Sequence, residues 1–237
     1  MEREALKLLV QQLVRKQLTN SVATEKKDAD VALRCGIFET VDEAIAQAMI
    51  AQEQFVKFSL AVRKQVVAAI RKVMLPKVEE MAEAVFQETG MGNVADKILK
   101  NKLAVEETPG VEDLVTQIQT GDNGMTLYEL SPYGVIGAVT PSTNPTETLI
   151  CKAIGMLAAG NAVFFSPHPG AKRISLWLIE QLNLIVKEAC GIENLIVTVS
   201  EPSIKAAREM MKHPAISLLV ITGGPGVVKQ ALESGKK

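Results

Sequence analysis

Four short, largely apolar segments alternate with helical patterns in the carboxyl-terminal half of the sequence, and this alternation leaves few architectures open. The segments cover residues 135–139, 162–165, 195–199 and 218–221, and a helical pattern follows each of them. Strands that are apolar throughout are buried on both faces, as in parallel sheets that helices cover. The pattern therefore predicts the α/β class, with a parallel sheet and helices on both of its faces.

Helices also fill the region before these segments. Thr40 and Glu43 form a Thr-x-x-Glu pattern, which is typical of a helix start. We predict that a long helical region follows and that Pro76 interrupts it, since proline cannot donate within a helix. Gly90 is expected to end the next helix, and a further helix is expected over residues 94–105. The sheet is thus preceded by a helical region.

The amino terminus carries a helical pattern of its own. Apolar residues recur at helical spacing between residues 2 and 18, which predicts an amphipathic helix over residues 1–20. The following sequence lacks periodicity and large apolar side chains, so we predict a flexible linker at residues 21–35 and a main domain at residues 36–237. A tethered helix has to bury its apolar stripe against a partner protein, the main domain or copies of itself.

The charged residues balance almost completely, with 26 basic and 27 acidic side chains and a net charge of −1. Nucleic-acid binding needs a local excess of lysine and arginine, and the sequence has no basic cluster interleaved with aromatic residues. No apolar run approaches the roughly 20 residues that cross a bilayer. We therefore expect neither a nucleic-acid partner nor a membrane segment.

The cysteines argue against a disulfide framework and a metal site. Cys35, Cys151 and Cys190 share no Cys-x-x-Cys spacing, and only His168 and His213 could complete a zinc site. We therefore expect no bound metal and a reducing compartment, the cytoplasm. Cys151 lies in an apolar stretch of the helix after the first apolar segment, so we predict a buried structural position for it rather than a catalytic one.

Open α/β sheets bind ligands beyond the carboxyl ends of their strands, so the loops at these ends are the candidate site. They cover residues 140–146, 166–173, 200–203 and 222–226. All are rich in proline, glycine, serine and threonine, and each leads into a helix whose free N–H groups can hold a phosphate. The same residue types also shape tight turns without binding anything.

Standard nucleotide motifs are missing from these loops. The last loop departs from the dinucleotide fingerprint because Lys229 stands where the third glycine would lie. A Gly-x-x-x-x-Gly-Lys-Ser/Thr motif is absent from the sequence, which disfavours hydrolysis of nucleoside triphosphates. His168 is fixed between two prolines, and it could bind a ligand phosphate, act as a base or have no role.

Several segments resemble the cofactor-binding half of the aldehyde dehydrogenase superfamily. In chain order they are Pro-Ser-Thr-Asn-Pro at 141–145, Ala-Gly-Asn at 159–161, Ser-Pro-His-Pro at 166–169 and Ile-Thr-Gly-Gly at 221–224. Four more are similar to the coenzyme A-acylating branch found in bacterial microcompartments: Glu-Thr-Gly-Met-Gly at 88–92, Asp-Lys at 96–97, Asn-Lys at 101–102 and Thr-Pro-Gly-Val-Glu at 108–112. The resemblance covers nearly the whole chain and implies a Rossmann-like sheet.

The resemblance implies a reversible reaction in which a short-chain aldehyde, NAD and coenzyme A (CoA) give acyl-CoA and NADH through a cysteine thioester. In this family the nucleophilic cysteine follows the Thr-Gly-Gly segment, so we expect it beyond Lys237 and expect the present chain alone to be inactive. The alternatives are an inactive fragment that keeps nucleotide or shell-protein binding, and a non-acylating aldehyde dehydrogenase.

The resemblance also assigns site residues. It places Thr143 where the superfamily has an asparagine that binds the reaction's oxyanion, and Asn144 beside it, so either side chain is a candidate. NAD and CoA are expected to use one site in turn, with phosphates near residues 170–173 and 222–224. The implied cofactor-binding residues are Thr140, Pro141, Ser142, Ser166, His168, Pro169, Gly170, Thr222, Gly223 and Gly224.

Two kinds of protein partner follow from the resemblance. The amphipathic helix at residues 2–18 is similar to an encapsulation peptide that docks onto shell proteins, which implies a location inside a microcompartment. A turn signal at residues 121–124 separates segments of strand type at 116–120 and 126–130 and predicts a β-hairpin. This hairpin resembles part of the family's oligomerisation arm and implies a dimer or tetramer.

Overall fold

Five parallel strands form the main sheet of the computed structural model, which describes residues 35–237. They are β1 (Ile37–Phe38), β4 (Val135–Thr140), β5 (Ala162–Pro167), β6 (Ile196–Val199) and β7 (Ile216–Ile221), while β2 (Gln117–Gly121) and β3 (Gly124–Tyr128) form a separate two-stranded sheet. The sheet order is β1-β6-β5-β4-β7. The chain therefore moves from β4 to one side and then returns to the other, and this reversal is where such sheets bind ligands.

The central strands have the buried character that their apolar sequences predict. All residues of β5 and β6 are buried, and β4 is buried at all but one position. Ala138 of β4 lies opposite Phe165 of β5 and opposite Val220 of β7. The predicted α/β class is confirmed, and the four predicted strands β4, β5, β6 and β7 differ from the observed ones only by a few residues at their ends.

The helices occupy the intervals between strands and most of the region before the hairpin. They are α1 (Val41–Phe55), α2 (Leu60–Met74), α3 (Val78–Thr89), α4 (Val94–Glu107), α5 (Pro145–Ala158), α6 (Lys172–Cys190), α7 (Ile204–Lys212) and α8 (Pro225–Leu232). Helices α1 and α7 pack together and against β4 and β5, whereas α5 and α6 pack against each other and the sheet. Helices α2, α3 and α4 form a further layer around α5 and α6.

The long helical region after Thr40 is divided at two places, of which the sequence predicts one. Thr40 Oγ1 accepts a hydrogen bond of 3.2 Å from Glu43 N, as its position before α1 predicts. Pro76 lies in a short 3₁₀ turn between α2 and α3, and Gly90 ends α3 in the left-handed conformation with φ +65°. The earlier division, at residues 56–59, was not predicted. Ser59 precedes α2 there without capping it through its side chain.

The sheet has an edge strand that the sequence does not reveal. Strand β1 contains two residues and lies beside β6, with Ile37 opposite Thr198. Thr198 N donates to Gly36 O at 2.8 Å and Ser200 N donates to Phe38 O at 2.7 Å. Two residues are too few for a periodic pattern, so only the hydrogen bonds to a distant strand identify this element.

Strands β2 and β3 form the predicted hairpin, although its turn is tighter than expected. Gln117 lies opposite Tyr128, and Gly121 lies opposite Gly124, so only two residues form the loop. Every residue of both strands is exposed. No helix within residues 35–237 has the length and apolar character needed to span a membrane.

Candidate functional site

A cavity of about 720 Å³ opens at the carboxyl ends of the strands, where β4 and β7 lie side by side. Such a volume is typical of sites for small molecules and cofactors. It is lined by every predicted site residue except Gly170: Thr140, Pro141, Ser142, Thr143, Asn144, Ser166, His168, Pro169, Thr222, Gly223 and Gly224. Nine other residues also line it, and four of these are Ile204, Ala207, Val227 and Gln230. These four lie on the helices after β6 and β7.

The lining of this cavity within residues 35–237 contains no lysine, arginine, aspartate or glutamate. Its polar groups are hydroxyls, amides, backbone groups and the His168 ring. Thr140 is 1% exposed, and its hydroxyl oxygen has no hydrogen-bond partner among the described residues.

Helix α8 presents its amino terminus to the cavity. Gly224 precedes the helix in an extended conformation, with φ −73° and ψ 172°, and Pro225 occupies the first turn. The Gly224 residue has no side chain that could cap the helix. The partial positive charge at the start of α8 thus faces the cavity.

The amino terminus of α6, by contrast, already has a protein acceptor. The Glu88 carboxylate accepts hydrogen bonds from Arg173 N and Ile174 N, each 2.8 Å long. Gly170 N donates to His168 Nδ1 at 3.0 Å. Phosphate binding at residues 170–173 stays a prediction, although these N–H groups are engaged. Sequence reasoning did not assign Glu88 a role because it lies 85 residues from Arg173 in the chain.

The hydrogen bond from Gly170 also restricts what His168 can do. Because Nδ1 accepts a hydrogen bond, a neutral ring carries its proton on Nε2. In that form the Nε2 atom is a hydrogen-bond donor for a ligand and cannot accept a proton as a base. Of the alternatives that the sequence left open for His168, this geometry favours contact with a ligand oxygen.

The two oxyanion candidates lie together at the end of β4. Asn144 Nδ2 donates to Thr143 Oγ1 at 3.4 Å, and Lys100 Nζ donates to Asn144 Oδ1 at 3.4 Å. Lys97 Nζ donates to the Thr143 carbonyl oxygen at 2.9 Å. Both candidate side chains line the cavity, so the geometry keeps both in reach of a ligand. The sequence does not predict these contacts from the two lysines, which are more than forty residues away in the chain.

A second cavity, of about 670 Å³, lies between α4 and α5. Asn144 and Thr222 line both cavities, which therefore meet at the ends of β4 and β7. Leu103, Glu147 and Cys151 are among its other lining residues. Within residues 35–237, no group of three histidine, cysteine or acidic side chains could hold a metal ion.

The predicted burial of Cys151 is wrong, because the residue is exposed beside this second cavity. Its neighbours Leu149, Ile150 and Ala153 are fully buried. Successive residues of a helix point about 100° apart, so an apolar stretch can bury most of its side chains and still expose one.

Lys152, the next residue on α5, joins the ends of β4 and β7. Its Nζ donates to Val139 O at 2.8 Å and to Val220 O at 3.1 Å. Burial lowers the pKa of the Lys152 ammonium from its usual 10.5 to about 8, because the charged form loses contact with water. The side chain thus holds together the two strands that carry the cavity.

Lys152 is expected to make stability depend on pH in the alkaline range. Its pKa is lower in the folded chain than in the unfolded chain, so between pH 8 and 10.5 the unfolded state binds more protons and stability rises with pH. Relative to Lys152→Met, the wild-type free energy of unfolding should rise by about 2 kcal/mol between about pH 7 and about pH 9.5. Urea titrations of both proteins at both pH values measure this. Parallel pH dependence in the two proteins would contradict the assignment.

Comparison with known proteins agrees with this geometry. Residues 18–237 match the aldehyde dehydrogenase family, so the chain belongs to that family. It is 48% identical over 237 residues to the propanal dehydrogenase (CoA-propanoylating) of Salmonella typhimurium, covering 100% of this chain and 50% of the relative. It is 50% identical over 196 residues to the acetaldehyde dehydrogenase (acetylating) of Bilophila wadsworthia, covering 83% and 40%.

Solved structures show the same likeness. A Rhodopseudomonas palustris propionaldehyde dehydrogenase with bound CoA and an acylated cysteine is 51% identical, with a TM-score of 0.83 over 85% of this chain and 46% of the relative. A propionaldehyde dehydrogenase from the fucose utilisation microcompartment of Clostridium phytofermentans is 45% identical, with a TM-score of 0.83 over 86% and 47%. The chain spans about half the length of these relatives.

Proposed function

We propose that this chain is the nucleotide-binding part of a CoA-acylating aldehyde dehydrogenase. Such an enzyme converts a short-chain aldehyde, NAD and CoA to acyl-CoA and NADH. The observation that carries the proposal is the cavity at the β4–β7 switch point, formed by loops whose sequences resemble those of the aldehyde dehydrogenase superfamily. NAD supplies hydride acceptance and CoA supplies the thiol that takes the acyl group.

The geometry supports separate sites for the nucleotide and the aldehyde, one in each cavity. We assign the nucleotide to the larger cavity, where the start of α8 and the donor on His168 Nε2 can bind its phosphates and ribose. The aldehyde is assigned to the second cavity. Asn144 and Thr222 then lie where the reacting groups meet, because they line both spaces. Either Asn144 or Thr143 would donate to the oxyanion.

NAD and CoA are proposed to occupy the larger cavity in turn. Both ligands carry an adenosine joined to a diphosphate, so the same cavity can accept that part of each. The relatives support this choice, since one solved structure contains CoA and an engineered glycolyl-CoA reductase, 50% identical to this chain, contains NADP+. Because the lining has no charged side chains, it does not favour the arrangement of phosphates in NAD over that in CoA, or the reverse.

A competition experiment tests this shared site. NADH fluorescence is titrated with the 237-residue protein at several CoA concentrations, and the apparent Kd for NADH is expected to rise in proportion to CoA. Pantetheine, which lacks the adenosine and the diphosphate, is the matched control and should displace NADH far less. Independent binding of NADH and CoA would contradict the shared site, and absence of binding by either would contradict the proposed function.

The nucleophilic cysteine is proposed to lie in the half of the enzyme that this chain does not contain. Cys35, Cys151 and Cys190 do not line the larger cavity. Burial raises the pKa of the Cys35 and Cys190 thiols, which disfavours the reactive thiolate. The 237-residue chain is therefore expected to form no NADH from acetaldehyde or propionaldehyde with NAD and CoA. Turnover by this chain alone, or turnover without CoA, would contradict the proposal.

The amphipathic pattern at residues 2–18, which lies outside the described residues, is proposed to dock onto microcompartment shell protein. The microcompartment origin of the C. phytofermentans relative supports this location within the cytoplasm. Deletion of residues 1–20 is expected to abolish co-sedimentation with shells and to leave the Kd for NADH unchanged. Undiminished co-sedimentation of the deleted protein would contradict a docking role for this segment.

The exposed hairpin supports assembly into a homo-oligomer, a dimer or tetramer. Ile118, Met125, Leu127 and Tyr128 are each at least half exposed, on two strands whose residues are all exposed. Water contact with such a set of apolar side chains is unfavourable, and a second copy can cover them. A Met125→Glu, Leu127→Glu double variant should therefore lower the mass measured by sedimentation equilibrium. An unchanged mass would contradict assembly through the hairpin.

A further inference from the structure

One turn of chain, between α3 and α4, contacts two of the loops that form the nucleotide cavity. Before the turn, Glu88 accepts the N–H groups at the start of α6. Within it, Met91 Sδ lies 3.8 Å from Ser142 Oγ. After it, Lys97 Nζ donates to Thr143 O. The side chains of this turn therefore connect to the loops after β4 and β5.

We propose that Lys97 is a positioning residue for the site. Its ammonium holds the Thr143 carbonyl, and thereby sets the orientation of Thr143 and Asn144 where the two cavities meet. The functional meaning of this role rests on the proposed function, whereas the contact itself does not.

The burial of Lys97 indicates that this contact is not incidental. The residue is 3% exposed, and its only hydrogen-bond acceptor among the described residues is the Thr143 carbonyl, 2.9 Å away. Removing an ammonium group from water costs several kcal/mol, and an apolar side chain of similar length would fill the same volume without this cost. A buried lysine with one acceptor is thus explained better by positioning than by stability.

The surroundings of Lys97 hold it in place. Asn101, which is fully buried, donates from Nδ2 to the Lys97 carbonyl oxygen at 2.9 Å one turn later in α4. Asn93 caps the helix, since its Oδ1 accepts from Asp96 N at 2.9 Å. The ammonium therefore projects from a fixed helix start rather than from a loose surface.

The contact reaches Asn144 through the peptide bond. The carbonyl of Thr143 and the N–H of Asn144 belong to one planar unit, so a hydrogen bond that fixes the carbonyl also fixes that N–H and the start of the Asn144 side chain. Lys100, on the same face of α4, donates to Asn144 Oδ1 at 3.4 Å. Two lysines of one helix thus contact two successive residues of the loop.

Lys97→Met and Lys97→Gln test this role, with Lys102→Met as the matched control on an exposed position of α4. The first readout is the amide ¹H and ¹⁵N shift of Asn144 in the 237-residue protein, which senses hydrogen bonding at the preceding carbonyl. The second is the Kd for NADH, and the third is the free energy of unfolding from urea titration.

Lys97→Met is expected to shift the Asn144 amide resonance and to weaken NADH binding up to about tenfold, because Thr143 and Asn144 line the cavity assigned to the nucleotide. Its free energy of unfolding should not fall. Lys97→Gln keeps a neutral donor, so its Asn144 amide shift and its Kd for NADH should lie between those of the wild type and Lys97→Met. Lys102→Met should change neither quantity.

An Asn144 amide that stays at its wild-type position in Lys97→Met would overturn the proposal. Unfolding of both Lys97 variants would also overturn it, because the lysine would then be required by the fold. If the wild-type protein binds neither NADH nor CoA, the proposed function fails, and the amide shift still decides the positioning role.

Discussion

Replacing Gly224 with aspartate is expected to weaken the binding of NADH and CoA at least 100-fold without destabilising the protein. Gly224 lies directly before α8 with an extended backbone that aspartate readily adopts, and its position leaves at least 4 Å of open space for a Cβ atom. An aspartate there would cap the helix and complement its dipole, which stabilises a helix by a few tenths to about 1 kcal/mol relative to glycine.

The same carboxylate would stand where we place the ligand diphosphate. Two unit charges about 5 Å apart repel by roughly 3 kcal/mol at an effective dielectric constant of about 20, which corresponds to a loss of binding above 100-fold. Stability and affinity should therefore change in opposite directions, a combination that general damage to the fold does not produce.

The matched control is Gly224→Asn, which has nearly the same shape and also caps helices but carries no charge. It should lose much less affinity than Gly224→Asp. Titration calorimetry with NADH and CoA, together with urea unfolding, measures both effects. If the two variants bound NADH equally well, the phosphates could not lie at the start of α8.

Gly36→Ala is expected to have the largest effect on stability, a loss of about 4 kcal/mol. Gly36 has φ +83°, a conformation that costs an alanine free energy. A Cβ atom there would also overlap the Asn183 side chain and the Ile196 carbonyl oxygen. Asn183 is fully buried and bonds to both backbone groups of Ile196, so the overlap would disturb β6 as well as β1.

Gly90→Ala separates the two causes of this loss. Gly90 has a similar φ of +65°, but a Cβ atom would meet nothing within 4 Å. Its cost should be about 1 kcal/mol, the conformational part alone. Urea unfolding of the two variants gives the comparison. Equal losses would mean that contact with Asn183 and Ile196 contributes nothing.

The sheet could be predicted because its strands are recognisable one at a time. The runs that became β4, β5, β6 and β7 are apolar, bounded by turn residues and separated by helical patterns, so local sequence was sufficient. Strand β1 was missed since two residues carry no period, and its identity depends on hydrogen bonds to Thr198 and Ser200, about 160 residues away. The helix break at residues 56–59 was missed because no proline or glycine marks it.

The cavity could be predicted in outline for a related reason. The topology fixes where the strands end. Thr140 is the last residue of β4 and Thr222 comes directly after β7, so both positions could be predicted once the strands were recognised. The contacts from Glu88 and Lys97 could not be predicted, because they join helices to loops across the tertiary structure and leave no periodic signal. The exposure of Cys151 depends in the same way on how α5 is rotated against its neighbours.

The uncharged lining of the larger cavity has a consequence for the timing of the proposed reaction. Two bulky nucleotides that share one site must exchange during every turnover, so the residence time of each limits the rate. Within residues 35–237 the lining offers hydroxyls, amides, backbone groups and a histidine but no lysine or arginine, so no ion pair has to break before a ligand leaves. The site is therefore suited to fast dissociation of each nucleotide, so that the first can leave before the second binds.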